Sequence, residues 1–273
     1  MTKPILLTGA SGALGRVLAR ELAAAGTTLR LTDIQPFPEA LPIRASFTQA
    51  DLEDGVTMLR LAEGCGVILH FGGVSVERPF EEIFSPNLRG LFHIYEAARR
   101  EGARVVFASS NHTIGFHEQG ETLDLDCSFR PDGFYGLSKV YGELMGRLYW
   151  DKHGVENANL RIGSCLPAPV EARQLSTWLS YPDLVRLVQA CIAAPRVGHA
   201  VIWGASRNPA TWWSTDHRER IGWAPQDSAE AWRPSIEGVL HVNEVARRYQ
   251  GGAFCAHDFS RTKPPPRNAF SLD

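Results

Sequence analysis

Short apolar runs alternate with amphipathic segments through the first 165 residues. The apolar runs have strand length and end in glycine or polar residues, and the segments between them repeat apolar residues at helical spacing. The strand-like runs cover residues 5–7, 28–33, 43–50, 67–71 and 104–108. This alternation predicts an α/β fold with a Rossmann-like, doubly wound parallel sheet.

A smaller appendage is predicted after this core. Residues 181–194 show the amphipathic pattern of a helix, and residues 200–204 form an apolar strand. Five tryptophans lie between residues 203 and 232, a density typical of a core or a subunit contact, with a sugar-stacking platform as the alternative. We therefore divide the chain into a core, 1–165, and a small C-terminal segment, 166–273, that is integrated with the core.

A glycine-rich turn follows the first strand and opens the first helix. Its glycines are Gly9, Gly12 and Gly15, with Ala13 and Leu14 between the last two. Glycines let the backbone approach a pyrophosphate, and the free N–H groups of a helix N-terminus face the anion. The spacing is G-x-x-G-x-x-G, not the usual G-x-G-x-x-G. The turn indicates a phosphate cradle, and a purely structural turn is the alternative.

The second strand ends in an acid. Asp33 lies about 20 residues beyond the turn, where a carboxylate accepts hydrogen bonds from the ribose of a dinucleotide. A carboxylate there repels a 2′-phosphate, so Asp33 favours NAD over NADP, and the adjoining Ile34 is also predicted to bind the cofactor. Arg16, beside the turn, argues the other way, and a turn or helix-cap aspartate is the structural alternative. We expect residues 1–165 to be an NAD-binding core.

The third predicted strand ends at a polar residue followed by an apolar one. Asp51 and Leu52 are placed to hold the adenine, or Asp51 caps a helix that starts near residue 53.

In the fourth strand, His70 lies within an apolar run and is interpreted as a core histidine.

Two glycines follow the fourth strand. Phe71, Gly72 and Gly73 lie where a parallel sheet meets its ligand, and glycine permits close approach of the backbone. Ser75 is expected to project into the same crevice.

The pattern of residues 79–100 predicts a helix in two pieces with a break at Pro86. Asn87 is unfavourable inside a helix unless its side chain has a specific function.

A serine, a tyrosine and a lysine supply candidate acid–base chemistry. Ser110 follows the fifth strand, and Tyr135 and Lys139 lie about one helical turn apart, so they share a helix face. A lysine ammonium beside a phenol favours the phenolate. We therefore expect Lys139 to lower the pKa of Tyr135 and to make it a base near neutral pH.

Together these features resemble the short-chain dehydrogenase/reductase family, in its extended branch. The glycine turn, Asp33, the helix with Asn87, Ser110 and Tyr135-x-x-x-Lys139 carry the resemblance, which covers about the first 165 residues. It implies that Ser110 polarises the reacting oxygen, that Tyr135 is the acid/base and that Lys139 binds the nicotinamide ribose. It also implies that Asn87 holds a relay water.

A closer resemblance is to the bacterial uronate dehydrogenases within that family. Residues 71–77, 108–115, 161–165, 175–178 and 201–206 carry it, and it extends to about residue 232. It implies oxidation of D-galacturonate and D-glucuronate at C1 with NAD, giving an aldarolactone, and it places Cys165 in the cofactor site. The tail after about residue 250 matches nothing in this resemblance.

The implied substrate, a hexuronic acid, carries ring hydroxyls and a carboxylate. Polar side chains suited to the hydroxyls are Ser75, Ser110, Asn111, His112, Tyr135 and Ser164. Arg173 follows in the loop after the sixth strand and is the candidate carboxylate clamp, because a guanidinium fork binds a carboxylate at two points. A surface arginine with no ligand is the alternative.

Composition limits the other classes of partner. The chain has 273 residues, a formal net charge of −2 and a pI of about 6.5, which favours neither nucleic acid nor an anionic membrane. Its five cysteines contain no C-x-x-C pair, which indicates reduced thiols and a cytoplasmic location. No signal sequence and no membrane-length apolar run is present, and His112 with His117 makes no convincing metal site, so no metal is expected.

Two other functions stay open. A nucleotide-sugar epimerase or reductase of the same fold is disfavoured by the short C-terminal part, and a non-catalytic dinucleotide sensor by the presence of both Tyr135 and Lys139. By resemblance, a homo-oligomer is expected, formed through the helices that start near Pro86 and Tyr135.

Overall fold

Seven parallel strands form one sheet in the computed structural model, which describes residues 3–261. The order across the sheet is β3-β2-β1-β4-β5-β6-β9, and a separate pair, β7 and β8, follows β6. The strands are β1 (Ile5–Thr8), β2 (Leu29–Asp33), β3 (Ala45–Gln49), β4 (Val67–His70), β5 (Arg104–Phe107), β6 (Asn157–Ile162), β7 (Ser164–Cys165), β8 (Trp178–Leu179) and β9 (His199–Gly204). The predicted Rossmann-like parallel sheet is confirmed.

Helices connect the strands and cover both faces of the sheet. The α-helices are α1 (Ala13–Ala24), α2 (Gly55–Ala62), α3 (Phe80–Ile83), α4 (Gly90–Glu101), α5 (Phe134–His153), α6 (Gln174–Thr177), α7 (Tyr181–Ala193), α8 (Arg233–Ile236), α9 (Glu244–Arg248) and α10 (Ala253–Ala256). Short 3₁₀ turns cover Asn111–Ile114, Arg218–Ile221 and Ala229–Trp232. No helix among residues 3–261 has the length and apolarity needed to cross a membrane.

The core lies in two layers, one on each side of the sheet. In β1, Leu7 joins the layer under α1 and α7, and its neighbour Leu6 joins the layer under α2 and α4. Leu18 of α1 and Leu91 of α4 are fully buried in these two layers. Strands buried on both faces are apolar at successive positions, and this is why short continuous apolar runs identify them in the sequence.

The strand order reverses beside β1, which pairs with β2 on one side and β4 on the other. In open parallel sheets the crevice at such a reversal, outside the carboxyl ends of the strands, is where ligands bind. The loops after β1, β2, β4 and β5 therefore meet at one edge.

A π-helix replaces the predicted break at Pro86. Residues Phe84–Arg89 form it, between α3 and α4. Proline has no N–H to donate, so the helix is rewound around it, and Asn87 becomes buried. π-helical turns are frequent at functional sites because they reposition single side chains.

The segment after residue 165 adds to the same sheet. β9 pairs with β6 along its whole length, and α7 packs against α1. Trp203 and Trp213 stack with ring centroids 5.1 Å apart, and both are buried, as is Trp223. For these three tryptophans the interpretation as core residues is confirmed.

Candidate active site

A cavity of about 630 Å³ lies at the carboxyl ends of the strands. Every residue predicted to bind the cofactor lines it: Gly9, Gly12, Ala13, Leu14, Gly15, Asp33, Ile34, Asp51, Leu52, Phe71, Gly72, Gly73, Tyr135, Lys139 and Cys165. Sequence reasoning misses the lining residues Ser11, Thr32, Gln35, Ala50, Val74, Pro86, Ala108, Ser109, Ile162 and Gly163. Most are chain neighbours of predicted residues, so the strand ends themselves could have indicated them.

The three glycines of the turn have different reasons for lacking a side chain. Gly9 has a φ of +72°, and a Cβ there would lie 2.4 Å from the Phe71 carbonyl oxygen. A Cβ on Gly15 would lie 2.0 Å from the Gly9 oxygen. At Gly12, by contrast, the nearest atom would be 3.4 Å away, which is ordinary contact. No contact within residues 3–261 therefore requires glycine at position 12. A ligand that approaches the backbone at the start of α1 would require it, and a diphosphate fits this place.

Asp33 is held at the rim of the turn. Its carboxylate accepts hydrogen bonds from the backbone N–H groups of Ser11 and Gln35, each at 3.0 Å. Arg16, the residue that could favour a 2′-phosphate, pairs instead with Glu39 at 3.1 Å. The local charges thus fit a ribose diol better than a phosphate.

The alternative role proposed for Asp51 is wrong. Helix α2 begins at Gly55, and its N-cap is Asp54, which accepts from the Thr57 N–H at 3.0 Å. The Asp51 carboxylate accepts from the Glu53 N–H at 2.9 Å, and Asp51 lines the cavity. Its placement beside the adenine remains a prediction.

His70 is a core histidine, as expected. Its Nδ1 lies 2.8 Å from the Thr8 hydroxyl, and its ring stacks on Phe107. Burial lowers the pKa of His70 to about 3, and the charge of Lys139 adds to this effect. The ring therefore stays neutral and structural.

Ser110, Tyr135 and Lys139 meet at one end of the cavity. Burial raises the pKa of Tyr135 to about 12; a hydrogen bond with Ser110 lowers it, and the charge of Asp132 raises it further. Burial also lowers the pKa of Lys139 to about 8. The ammonium lies over the aromatic rings, 4.9 Å from the Phe107 centroid and 5.4 Å from that of Tyr135.

The expectation that Lys139 lowers the pKa of Tyr135 is therefore wrong for the protein alone. Burial is the largest cause of the raised Tyr135 pKa, Ser110 is the group that lowers it, and no lowering by Lys139 accompanies them. Desolvation of both groups, which the spacing in the sequence does not reveal, reverses the predicted effect.

Two residues outside the helix hold Tyr135 and the loop after β4. The Glu77 carboxylate accepts from the backbone N–H groups of Phe134 and Tyr135 at 2.8 and 2.9 Å, and so caps α5. A Cβ on Gly133 would lie 2.2 Å from a Glu77 oxygen, so a side chain there would displace the Glu77 carboxylate from this cap. Glu77 is a site residue that sequence reasoning misses, since no local pattern links it to α5.

Asn87 holds the same loop from the other side. Its side-chain oxygen accepts from the Val74 N–H at 2.8 Å, and its amide donates to the Val74 carbonyl at 3.0 Å and to the Ser138 hydroxyl at 2.9 Å. It does not line the cavity. Its contacts position the loop that carries Ser75, and a role in holding a water remains a prediction.

The predicted substrate residues divide into three groups. Ser75, Ser110, His112 and Tyr135 line the cavity. Asn111 is buried beside them, and its amide nitrogen has no hydrogen-bond partner among the described residues. Ser164 and Arg173 do not line this cavity.

Arg173 lies behind Ser164, at a smaller cavity of about 120 Å³. Its guanidinium donates to the Ser164 hydroxyl at 3.0 Å, to the Gln250 carbonyl at 2.8 Å and to Glu171 at 3.3 Å. The side chain is mostly buried and is already held by three protein oxygens, so it is not the solvated surface arginine of the alternative interpretation. The role of carboxylate clamp remains a prediction.

The segment 249–256 closes over the substrate end of the site. Phe254 stacks on His112 with centroids 3.9 Å apart, and lies 5.8 Å from Tyr135. Gln250, fully buried, holds Arg173 through its carbonyl. Sequence reasoning misses both residues, because they reach the site by long-range contacts from a tail with no recognisable pattern.

Residues 3–261 contain no group of three or more His, Cys, Asp or Glu side chains arranged to hold a metal. The hydrogen-bonding partner of His112 is a carboxylate, Asp132, at 2.6 Å.

Residues 5–168 match the NAD dependent epimerase/dehydratase family. Over 255 residues the chain is 48% identical to the uronate dehydrogenase of Pseudomonas syringae pv. tomato, an alignment that covers 92% of this chain and 93% of that protein. The chain belongs to the uronate dehydrogenase family.

Solved structures of uronate dehydrogenases share the fold. The crystal structure of uronate dehydrogenase from Agrobacterium tumefaciens has a TM-score of 0.88 and 47% identity, over 93% of this chain and 97% of that one. A tyrosine-to-alanine mutant from the same organism, in complex with NAD, has a TM-score of 0.89 and 46% identity, over 97% and 100% of the two chains. The architecture described above, from the glycine turn to the added β9, is thus that of the uronate dehydrogenases.

Proposed function

We propose that this protein oxidises D-galacturonate and D-glucuronate at C1 with NAD, giving the aldarolactone. The observation that carries the proposal is the identity of 46–48% to three uronate dehydrogenases over 92% of the chain. It is supported by the meeting of Ser110, Tyr135 and Lys139 at one end of the large cavity.

The chain's own residues fit NAD. The turn around Gly12 holds the diphosphate at the start of α1, and Asp33 receives the adenosine ribose. Asp51 and Leu52 hold the adenine, and Lys139 binds the nicotinamide ribose. When bound, NAD supplies the hydride acceptor and a positively charged ring, which favours the ionised form of a nearby phenol.

Tyr135 takes the proton of the C1 hydroxyl through its phenol oxygen, and Ser110 donates a hydrogen bond to the same substrate oxygen. The C1–H bond breaks as the hydride leaves, and the C1–O bond becomes the carbonyl of the lactone. No water enters this step. Because the pKa of Tyr135 is about 12 in the protein alone, the phenol does not act as a ready base before the other components are bound.

The substrate lies against Ser75, Asn111 and His112 through its ring hydroxyls. The unpartnered amide of Asn111 supports this, since a buried donor without a partner is costly and a substrate oxygen satisfies it. We assign the substrate carboxylate to Arg173, which lies at the smaller cavity and keeps guanidinium N–H groups that Ser164, Gln250 and Glu171 do not use.

The test is an NAD-reduction assay with the purified protein across uronic acids, neutral aldoses and nucleotide sugars. We expect turnover with galacturonate or glucuronate and none with nucleotide sugars. A matched Tyr135→Phe variant should lose nearly all turnover, by at least about 100-fold, and still bind NAD. Turnover of nucleotide sugars alone would favour the epimerase or reductase alternative and reject the proposal.

Self-association and location extend the proposal. Leu137, Tyr141, Leu144 and Leu148 lie along one face of α5, and the three leucines are about half exposed, which supports a homo-oligomer joined through this face. All five cysteines are unpaired, which supports a cytoplasmic location. The only partner proposed besides a second copy is the hexuronic acid, with neither nucleic acid nor membrane.

A further inference from the structure

His112 and Asp132 form a buried pair beside the reacting end of the cavity. The Nδ1 atom of His112 lies 2.6 Å from an oxygen of Asp132, and no hydrogen bond to Nε2 is formed within residues 3–261. His112 lines the cavity, whereas Asp132 does not. One ring nitrogen is thus committed to the protein, and the other is available to a ligand.

The surroundings of Asp132 fit closely around the oxygen that meets His112, whereas its other oxygen, Oδ1, is buried with no hydrogen-bond partner among the described residues. Its side chain has no exposed surface, and a Cβ on Gly115 or Gly251 would lie 1.9 or 1.8 Å from the same oxygen that meets His112. The Cys255 sulfur lies 3.7 Å from that oxygen, and its thiol has a nearer acceptor in the Gly115 carbonyl oxygen at 3.2 Å. The chain therefore keeps two glycines free of side chains to let this carboxylate reach the imidazole.

The imidazole ring is also fixed on its faces. Phe254 stacks on it with centroids 3.9 Å apart, and Tyr135 meets it edge-on at 5.6 Å. The ring contacts fix the plane of the imidazole, and the bond at Nδ1 fixes its rotation within that plane. Together they fix the direction in which Nε2 points.

A second histidine in the same region shows what a purely structural pair looks like. His117 Nδ1 lies 3.1 Å from Glu121, but its Nε2 also has a partner, the Ser128 carbonyl oxygen at 2.9 Å. His117 does not line the cavity. Only the His112 pair leaves a nitrogen for the substrate.

We propose that Asp132 is a positioning residue that fixes His112 as its Nδ1–H tautomer. The partner of one ring nitrogen decides the state of the other, so a carboxylate at Nδ1 leaves Nε2 as a hydrogen-bond acceptor. Among the cavity-lining side chains predicted to bind substrate, Ser75, Ser110 and Tyr135 carry hydroxyls that can also donate. A fixed acceptor at His112 selects a sugar hydroxyl that points its hydrogen toward it.

This inference rests on the proposed function and adds a specificity device to it. Because the hydroxyl bound by His112 is not the reacting one, its loss weakens ground-state and transition-state binding alike. Such a loss raises KM and leaves kcat nearly unchanged.

The experiment compares Asp132→Asn and Asp132→Leu, both close in shape to aspartate, with Glu121→Gln as the matched control on the His117 pair. We expect KM for galacturonate to rise about 10- to 100-fold in the Asp132 variants, while kcat does not fall, because loss of the Asp132 charge lowers the pKa of Tyr135 and so favours the base. NAD affinity and the KM of the Glu121→Gln variant should not change.

Histidine ¹⁵N spectra of the wild-type protein supply a readout that needs no activity, with the His112 signals assigned from a His112→Gln variant. We expect the Nδ1–H form in the wild type and a loss of that form in Asp132→Leu. An Nε2–H form in the wild type, or an unchanged KM in both Asp132 variants, overturns the inference. A wild type that oxidises no uronate contradicts the proposed function instead, and the tautomer still decides the role of Asp132.

Discussion

Lys139 holds a charge where the described part of the chain offers it no carboxylate. Its ammonium contacts the faces of Phe107 and Tyr135 and forms no salt bridge within residues 3–261. The buried carboxylate of Glu143, one turn further along α5, is paired with Arg161 at 2.8 Å. Burial lowers the pKa of Lys139 to about 8, yet the side chain is still charged at neutral pH. A buried group kept in a costly state is typical of a functional site.

A Lys139→Met variant should therefore be more stable than the wild type and inactive. The lowering of the Lys139 pKa from 10.5 to about 8 corresponds to a cost of about 3 kcal/mol for burying the charged ammonium. Loss of the cation–π contacts with the two rings offsets about 1 kcal/mol of the gain from removing that charge. We expect the free energy of unfolding at pH 7, measured by urea denaturation without NAD, to rise by about 2 kcal/mol. Lys152→Met, an exposed lysine of the same helix, is the control and should change little.

The pH dependence of this gain has a definite sign. The pKa of Lys139 is lower in the folded than in the unfolded chain, so between about 8 and 10.5 the unfolded chain binds more protons. Wild-type stability then rises with pH relative to the variant. The advantage of Lys139→Met should be full below pH 8 and disappear by about pH 10.5. A gain that grew with pH would show that the buried charge is not its cause.

At the scale of elements, the glycine turn and α1 separate ligand binding from folding. Gly15 packs against the Gly9 carbonyl, whereas Gly12 has room for a methyl group. We expect Gly12→Ala to change the free energy of unfolding by less than about 1 kcal/mol but to weaken NAD binding at least about 10-fold, because the methyl group occupies the place of the diphosphate. Calorimetric titration with NAD and urea denaturation measure the two effects.

Gly15→Ala is the contrasting variant. Its methyl group would overlap backbone atoms, so it should destabilise the protein by about 2–3 kcal/mol even without NAD. If Gly12→Ala bound NAD like the wild type, the turn would not be a diphosphate cradle.

Elements that are determined by their own residues could be predicted from the sequence. Strands β1, β2, β4 and β5 are apolar runs buried on both faces, and their predicted bounds differ from the observed ones by a residue or so at each end. The strand ends then fix which residues share the cavity, because parallel strands end at one edge. This explains why the predicted cofactor residues all line it.

Features that depend on contacts between residues far apart in the chain could not be predicted from the sequence. The placement of the Asn87 side chain depends on its contacts with Val74 and Ser138, and the cap of α5 depends on Glu77. These contacts join residues that are far apart in the chain, and neither periodicity nor capping rules within a window can reveal them. The pKa of Tyr135 was expected to be lowered and is raised to about 12, and this was missed for the same reason, since burial is a property of the fold.

At the scale of the whole molecule, the segment 249–256 joins the two halves of the candidate site. Gln250 holds Arg173, and Phe254 holds His112, so one stretch near the end of the described chain positions residues from two separate loops. Its sequence has no strand or helix signal strong enough to place it. Local sequence patterns do not predict such long-range contacts, so they could not predict this part of the substrate site.

The apolar face of α5 permits a test of assembly. Leu137, Tyr141, Leu144 and Leu148 follow the spacing of a helical stripe, and Leu144 is 54% exposed. Soluble proteins rarely leave such a stripe uncovered, and a second copy of the same face would bury it. We expect the wild type to run as an oligomer in size-exclusion chromatography with light scattering. Leu144→Glu should shift it toward the monomer, because burial of an unpaired charge in an apolar interface is costly.

The matched control is Val56→Glu, the same kind of exchange at an exposed position of α2 outside the stripe. It should leave the oligomer intact, since it adds a charge without touching the α5 face. Leu144→Glu should also keep its NAD affinity, because Leu144 does not line the cavity. An unchanged oligomer in Leu144→Glu would place the subunit contact elsewhere, and a monomeric wild type would reject self-association.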